Sequence, residues 1–283
     1  MKSQESNPSG EKRIGLLNHG FLIVWAIISL FPLVWMISTS LKENNEIYTN
    51  PGLLPRNVLN FKNYADAWMF GEFNVYFMNS VLYTIVIITA VVFFSSLAAY
   101  GLSRLKMYGK SFVYYMFLAS LMIPIPGVFV AIYIVVYHLG LGNSRMGYIL
   151  PMIALSLPIS IFILKSFFDE MSKEIQEAAI IDGANNFYIY LNIMLPILRP
   201  AIATIIILNM LSVWNEFSLA LILFTDNAFM PIQKGLSVFV GQYSTRYELL
   251  MAATTISIIP IILIYMLMQK QFIQGLTAGA IKG

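Results

Sequence analysis

A chain of 283 residues in which 58% are hydrophobic and only 11% charged, with a mean hydropathy of +0.74, has the composition of a membrane protein. The absence of cysteine excludes a disulfide framework, a thiolate nucleophile and a cysteine-ligated metal, and the two histidines, His19 and His138, cannot supply an H-E-x-x-H zinc site. A net charge of +3, with no basic cluster among aromatics outside the apolar runs, gives no sign of nucleic-acid binding.

Roughly 20 apolar residues cross about 30 Å of hydrocarbon, so charge-free runs place the spans. The first run, 14–41, is uncharged apart from His19 and follows Lys12 and Arg13. It is much longer than the apolar part of a signal peptide and no A-x-A site follows, so it reads as a retained anchor. Next come 73–103, then 111–144 apart from His138, then 146–164. A fifth run, about 200–224, is apolar except for Glu216, and the sixth is 249–269. None shows the alternation of a barrel strand, and helices satisfy every backbone amide internally.

The expected fold is therefore an all-α polytopic membrane protein. Its six transmembrane helices, at about 14–40, 74–103, 111–139, 146–168, 200–224 and 249–270, lie within one transmembrane domain over 14–272. Tails of 1–13 and 273–283 flank it, and a loop of about 169–199 joins the fourth and fifth spans. Pro124 and Pro126 with Gly127 interrupt the third run and Pro151 and Pro158 fall in the fourth; a bend is expected at 124–126 because proline removes a helical donor. With both termini in the cytoplasm, that side holds Lys2, Lys12, Arg13, Arg104, Lys106, Lys110, Lys165, Lys173, Arg199, Lys270 and Lys282, 11 of the 17 basic residues. This bias puts the 169–199 loop in the cytoplasm.

The loop itself reads as two short helices around a tight turn. Ser172 suits an N-cap, Ile175, Ala178, Ala179 and Ile181 fall near one stripe, and Glu170, Glu174 and Glu177 suit a helix N-terminus. Gly183 stands where positive φ ends a helix. Asn185 and Asn186 can cap a second helix carrying Phe187, Tyr188 and Tyr190, and Pro196 and Pro200 close the segment.

The spacing Glu177-Ala178-Ala179, three residues, Gly183, nine residues, Ile193, one residue, Leu195-Pro196 resembles the cytoplasmic signature of the membrane subunits of binding-protein-dependent ABC importers. The resemblance implies that Glu177, Ala178, Ala179, Asp182, Gly183, Ile193, Leu195 and Pro196 form a coupling helix segment that docks on an ATP-hydrolysing subunit. The C-terminal stretch from 248, ending GLTAGAIKG, is similar to the end of the smaller membrane subunit of the maltose-type carbohydrate permeases. This implies that the tail, with Gly275, Leu276, Thr277 and Gly279, contacts the ATPases; taken alone, such a glycine-spaced end also fits a frayed terminus.

SVWNEFSLALIL, 212–223, is similar to the fifth span of these permeases. Glu216, an acid well inside a span, should face a polar cavity or a partner. One reading makes it structural glue bonded to Asn209, Ser212 or Asn215; the other makes Asn209, Ser212, Trp214, Asn215 and Glu216 a wall of the sugar path. The outer loop of about 226–247, with Gly241, Gln242 and Tyr243, resembles the family's external loop that probes the substrate-binding protein, although interfacial anchoring would also suit its aromatics. Gly109-Lys110-Ser111 is no phosphate-binding loop, because Arg104 stands where the first glycine is required.

The resemblance implies a transport subunit and not an enzyme: one half of an alternating-access pathway for a sugar or oligosaccharide, in the plasma membrane of a prokaryote. A second homologous permease subunit, two ATPase subunits and an extracellular sugar-binding protein are the implied partners, with ATP and magnesium held by the ATPases and no cofactor by this chain. An ion-coupled secondary transporter for a polar solute is the alternative, against which stands the lack of an internal repeat.

Overall fold

The computed structural model describes residues 8–56, 59–241 and 245–280. Among them helices are the regular structure, and the β pairing is one isolated antiparallel bridge, Val240 to Thr245. The chain divides into two compact units, Met1–Phe70 with Phe239–Ile256, and Gly71–Val238 with Ser257–Gly283.

In the first unit, α1 (Pro8–Ser40) exposes Phe21, Trp25, Ile28, Phe31 and Trp35, a surface that lipid tolerates and water does not. Two short helices follow, α2 (Asn44–Thr49) and α3 (Lys62–Met69). Side chains fix the connection between α1 and α3. Lys42 is buried and its Nζ donates to the carbonyls of Asn50 at 3.0 Å and Gly52 at 2.5 Å. Asn63 Nδ2 donates to the carbonyls of Ser40 at 2.9 Å and Lys42 at 2.8 Å. The Glu46 carboxylate accepts the Arg56 amide and, at 2.9 Å, Asn50 Nδ2.

These donors, the Arg56 amide foremost, hold the Glu46 carboxyl below its ordinary value of 4.5. A lowered acid contributes stability that is complete above 4.5 and is lost as pH falls through the depressed value. Hydrogen exchange over 44–56, corrected for intrinsic rates, is expected to accelerate on acidification below 4.5 in the native chain and to lose that acid dependence in Glu46→Gln. An unchanged profile in the variant would refute the assignment.

The second unit holds α4 (Phe73–Arg104), α5 (Lys110–Ser120), α6 (Ile125–His138), α7 (Arg145–Glu170) and α8 (Lys173–Ile181). It continues through α9 (Asn186–Tyr188), a π-helical segment Ile189–Met194, α10 (Leu195–Ile197), α11 (Arg199–Trp214), α12 (Ser218–Leu223) and α13 (Ile232–Gly235). The remainder is the part from Ser257 of α14 (Tyr247–Ala280). Ser95, Ser96 and Ala99 of α4 and Ser156 and Ser160 of α7 are buried; such small residues let membrane helices approach closely. Two apolar clusters fill the unit. One gathers Tyr83, Ile87, Val91, Tyr148, Met152 and Phe224, and the other Tyr100, Leu164, Phe168, Ala179, Ile189 and Met194.

Among the described residues four helices are long and apolar enough to cross a bilayer, or five if the bent pair of Asn186–Ile197 and Arg199–Trp214 counts as one span. The third and fifth apolar runs are not single helices but split ones. The third breaks between α5 and α6, where Pro124 is the N-cap and Pro126 falls in the first turn, positions that need no helical N–H; this is the expected bend. Pro151 and Pro158, by contrast, lie within an unbroken α7. The fifth breaks at 215–217, between α11 and α12.

Candidate coupling and pathway sites

The 172–198 segment folds as two short helices around a turn. Ser172 Oγ accepts the Glu174 amide at 3.1 Å and so caps α8. At the other end of α8, Gly183 has φ +85, its amide reaches the Ile180 carbonyl at 3.0 Å, and the Ala184 amide reaches that of Ala179 at 3.0 Å. This pair of bonds is a Schellman ending, which requires the left-handed residue that glycine supplies. Asn185 Oδ1 then accepts the Tyr188 amide at 2.8 Å and starts the second helix. Pro196 cannot donate to the Asn192 carbonyl, and the turn before it is π-helical, a form that recurs at functional positions. Asn186–Ile197 and α11 are bent by 75° from one another, so the segment crosses the end of the span that follows it.

α4 and α7 anchor this segment. Ser96 Oγ and Tyr190 Oη lie 2.7 Å apart, and Tyr100 Oη donates to the Asn186 carbonyl at 3.2 Å. The Arg104 guanidinium donates to the carbonyls of Phe168 and Met171, tying the end of α4 to the entry of α8. Ala179 is buried within the cluster of Tyr100 and Phe168, so its small size serves packing inside the chain. Ile175, Ala178 and Ile181, expected on the same stripe, are exposed, as are Glu177, Asp182 and Pro196, while Ile193 and Leu195 are half-buried. Glu170 belongs to the last turn of α7 and not to the start of α8. The outward surface is apolar: Ile180, Ile181, Phe187, Tyr188 and Leu191 are exposed, Ile181 by 86%. Exposed apolar side chains of this size form a patch of the kind that a protein partner or a membrane covers.

The opposite end of α4 holds a second anchor. Asn79 Nδ2 donates to the carbonyls of Ala228 at 2.8 Å and Met230 at 3.1 Å, Ser80 Oγ accepts the Ile232 amide at 2.7 Å, and Tyr83 Oη donates to the Phe229 carbonyl at 2.7 Å. At 1.5 Å per residue, Asn79 and Tyr100 stand roughly 30 Å apart along α4, the thickness of a hydrocarbon core. The two anchored segments therefore belong to opposite membrane faces. The signal for this latch was readable, since Tyr76, Asn79, Ser80 and Tyr83 form a polar stripe at helical spacing in an otherwise apolar run. Gly235 packs directly on the Tyr76 ring, leaving no room for a Cβ, which would lie 2.2 Å from Tyr76 Cδ2. Burial among apolar neighbours lowers the Lys234 ammonium from its ordinary value, and its Nζ donates to the Phe224 carbonyl.

The residues expected in the fifth run divide into two groups. Trp214 is buried, with Nε1 donating to the Ser257 carbonyl at 2.9 Å and Phe77 edge-on to its ring. Asn209 is buried too, donating to Ser160 Oγ at 2.9 Å and the Ile205 carbonyl at 2.7 Å. Ser212 and Asn215 are exposed and Glu216 is half-buried. The Glu216 carboxylate accepts the amides of Leu219 at 2.5 Å and Ala220 at 3.1 Å and the Tyr148 hydroxyl at 3.2 Å. Its partners are thus not Asn209, Ser212 or Asn215, as the spacing suggested. They are the donors bared where the helix breaks, which an acid three residues upstream is placed to cap.

Gly241 is exposed beside the Val240–Thr245 bridge, whereas Gln242 and Tyr243 lie outside the described residues. Gly275, Leu276, Thr277 and Gly279 are helical backbone of α14, which runs to Ala280 through residues expected to form a separate tail. Among the described residues no group of acids and histidines could hold a metal ion.

The sequence profile of the family described as the binding-protein-dependent transport system inner membrane component matches residues 91–278. The probable ABC transporter permease protein YurM of Bacillus subtilis is 37% identical over 263 residues, covering 93% of this chain and 87% of the relative. The diacetylchitobiose uptake system permease protein NgcG of Streptomyces coelicolor is 32% identical over 276 residues, covering 97% and 91%. The trehalose/maltose transport system permease protein MalG of Thermococcus litoralis is 33% identical over 266 residues, covering 92% and 94%. A bacterial ABC transporter involved in the import of alginate has a chain that superposes with a TM-score of 0.81 at 23% identity, covering 95% of this chain and all of that one, a likeness of fold. Match, relatives and a foot anchored at one membrane face agree: the chain belongs to the inner membrane components of binding-protein-dependent transport systems, as a multi-pass transport subunit and not an enzyme.

Proposed function

We propose that this chain forms one half of the path by which a sugar or oligosaccharide enters the cell, paired with a second homologous permease subunit. Two ATPase subunits, which hold the ATP and magnesium, drive it, and an extracellular sugar-binding protein feeds it. Support for the sugar comes from the relatives, whose names concern diacetylchitobiose and trehalose or maltose. Both termini and the 172–198 segment face the cytoplasm in this reading. Glu177, Ala178, Asp182 and the exposed Ile180 and Ile181 dock on an ATPase subunit, Ala179 and Gly183 fix the shape presented, and Ile193, Leu195 and Pro196 join it to α11. Ser212, Asn215 and Glu216, which keep open surface, contribute to the sugar path, with Asn209 and Trp214 supporting them from within the bundle. Gly241, Gln242 and Tyr243 meet the binding protein, and Gly275, Leu276, Thr277 and Gly279 extend toward the ATPases. Alternating access requires that the docking partner contact this segment differently in two states, not merely tightly.

The observation that carries the reading is the apolar foot held by Ser96, Tyr100 and Arg104 at the end of α4. Because the chain has no cysteine, a single cysteine at Ile181 is a unique reporter. In membranes containing the whole assembly, a short bifunctional reagent is expected to join it to an ATPase subunit, with a yield that changes on adding ATP. Labelling of that cysteine only from the outside of sealed cells, or no product with any ATPase, would overturn the proposal.

A further inference from the structure

At the end of the bundle that carries the coupling segment, α4, α5 and α7 enclose a pocket of about 230 Å³ lined by Ser103, Lys110, Ser111, Tyr114, Lys165 and Asp169, among others. Lys165 Nζ lies 2.5 Å from Asp169 Oδ2 and 4.8 Å from the centre of the Tyr114 ring, and Ser103 Oγ donates to Asp169 Oδ1 at 2.5 Å. The single acid is therefore already matched. Among the described residues Lys110 has neither an ion-pair nor a hydrogen-bond partner, which leaves one net positive charge with the Ser111 hydroxyl and Tyr114 beside it, the Ser103 proton being committed to Asp169. Lys106 is exposed nearby on the same connection. Along α5 the surface next to the pocket turns apolar at once: Phe112, Tyr115 and Met116 are all exposed.

We propose that this pocket binds the phosphate headgroup of an anionic membrane lipid. An ammonium and hydroxyls match phosphate oxygens through charge-assisted hydrogen bonds. Basic pockets between membrane helices, at the level where aromatic residues mark the interface, are suited to acidic headgroups. Free phosphate would satisfy the polar lining but leave Phe112, Tyr115 and Met116 bare. A lipid covers both, its head against Lys110 and its chains along α5. The site reaches the coupling segment through α7, since Asp169 stands three residues before the Ser172 cap. Only the leaflet involved rests on the importer reading; binding itself does not.

The test uses the full chain, purified with the subunits that accompany it, in nanodiscs of phosphatidylcholine and phosphatidylglycerol, with retained lipid counted by native mass spectrometry. Phosphatidylglycerol is expected to be retained over phosphatidylcholine. Lys110→Gln should lower its retention about five-fold, the contribution of one surface lysine, and Lys110→Arg should restore it, showing that the fold is intact. Equal retention in Lys110→Gln, or no preference for phosphatidylglycerol, would overturn the proposal. Millimolar inorganic phosphate that displaces the lipid completely would also overturn it, by assigning the site to a soluble anion. None of these readings depends on sugar uptake.

Discussion

Gly183→Val is expected to leave the chain inserted in the membrane while abolishing uptake and copurification of the ATPase. Nothing lies within 4 Å of where a Cβ would stand at Gly183, so the whole effect comes from the backbone, held at φ +85. A left-handed L-residue costs about 1–2 kcal/mol and a β-branched one more. That is enough to shift the turn by a factor of about 5–30. Opening it frees the amides of Gly183 and Ala184 from the Ile180 and Ala179 carbonyls and misdirects α8 against the second short helix. A graded series separates this cause from a clash: Gly183→Asn should keep most of the uptake, Gly183→Ala less, and Gly183→Val none. If uptake by the valine variant equals wild type, or if all three fail alike, the turn does not set the docking surface.

Glu216→Ala is expected to lower stability by several kcal/mol, because it strips acceptors from the Leu219 and Ala220 amides and from the Tyr148 hydroxyl, at about 1–3 kcal/mol for each group left unsatisfied. The measurement is the unfolding midpoint in detergent. Glu216→Gln keeps one oxygen for one of the two amides and sets its NH2 against the other, since Leu219 and Ala220 donate to different carboxylate oxygens, and so should unfold between the alanine variant and wild type. If the alanine variant is as stable as the native chain, the cap is not holding α12. A folded glutamine variant with an altered range of transported sugars would add a pathway role to the structural one.

The apolar runs were legible because hydrocarbon imposes a length and forbids charge, and Ser172, Gly183 and Asn185 were legible because each cap has its own residue chemistry. What escaped depended on partners distant in sequence. Nothing local distinguishes Tyr190 bonded to Ser96 from a tyrosine at the interface, or ties Arg104 to carbonyls more than sixty residues away. The Glu216 assignment missed for a related reason: spacing on a continuous helix offered Ser212 and Asn209 as neighbours, but the helix stops at Trp214, and the break itself supplies the donors. The stripe read from Ile175 to Ile181 was a helix-period pattern in which only Ala179 turns inward; the other positions keep their apolar character toward whatever covers them.

One continuous helix, α4, bears both the Asn79–Tyr83 latch and the Ser96–Arg104 anchor. Like the beam of a balance, such a rod allows no independent setting at its two pans. Any rocking that lifts the strand of chain clasped near Asn79 must also displace the clasp at Tyr100; on the proposed reading, that ties arrival of cargo on one side to nucleotide turnover on the other through one rigid piece.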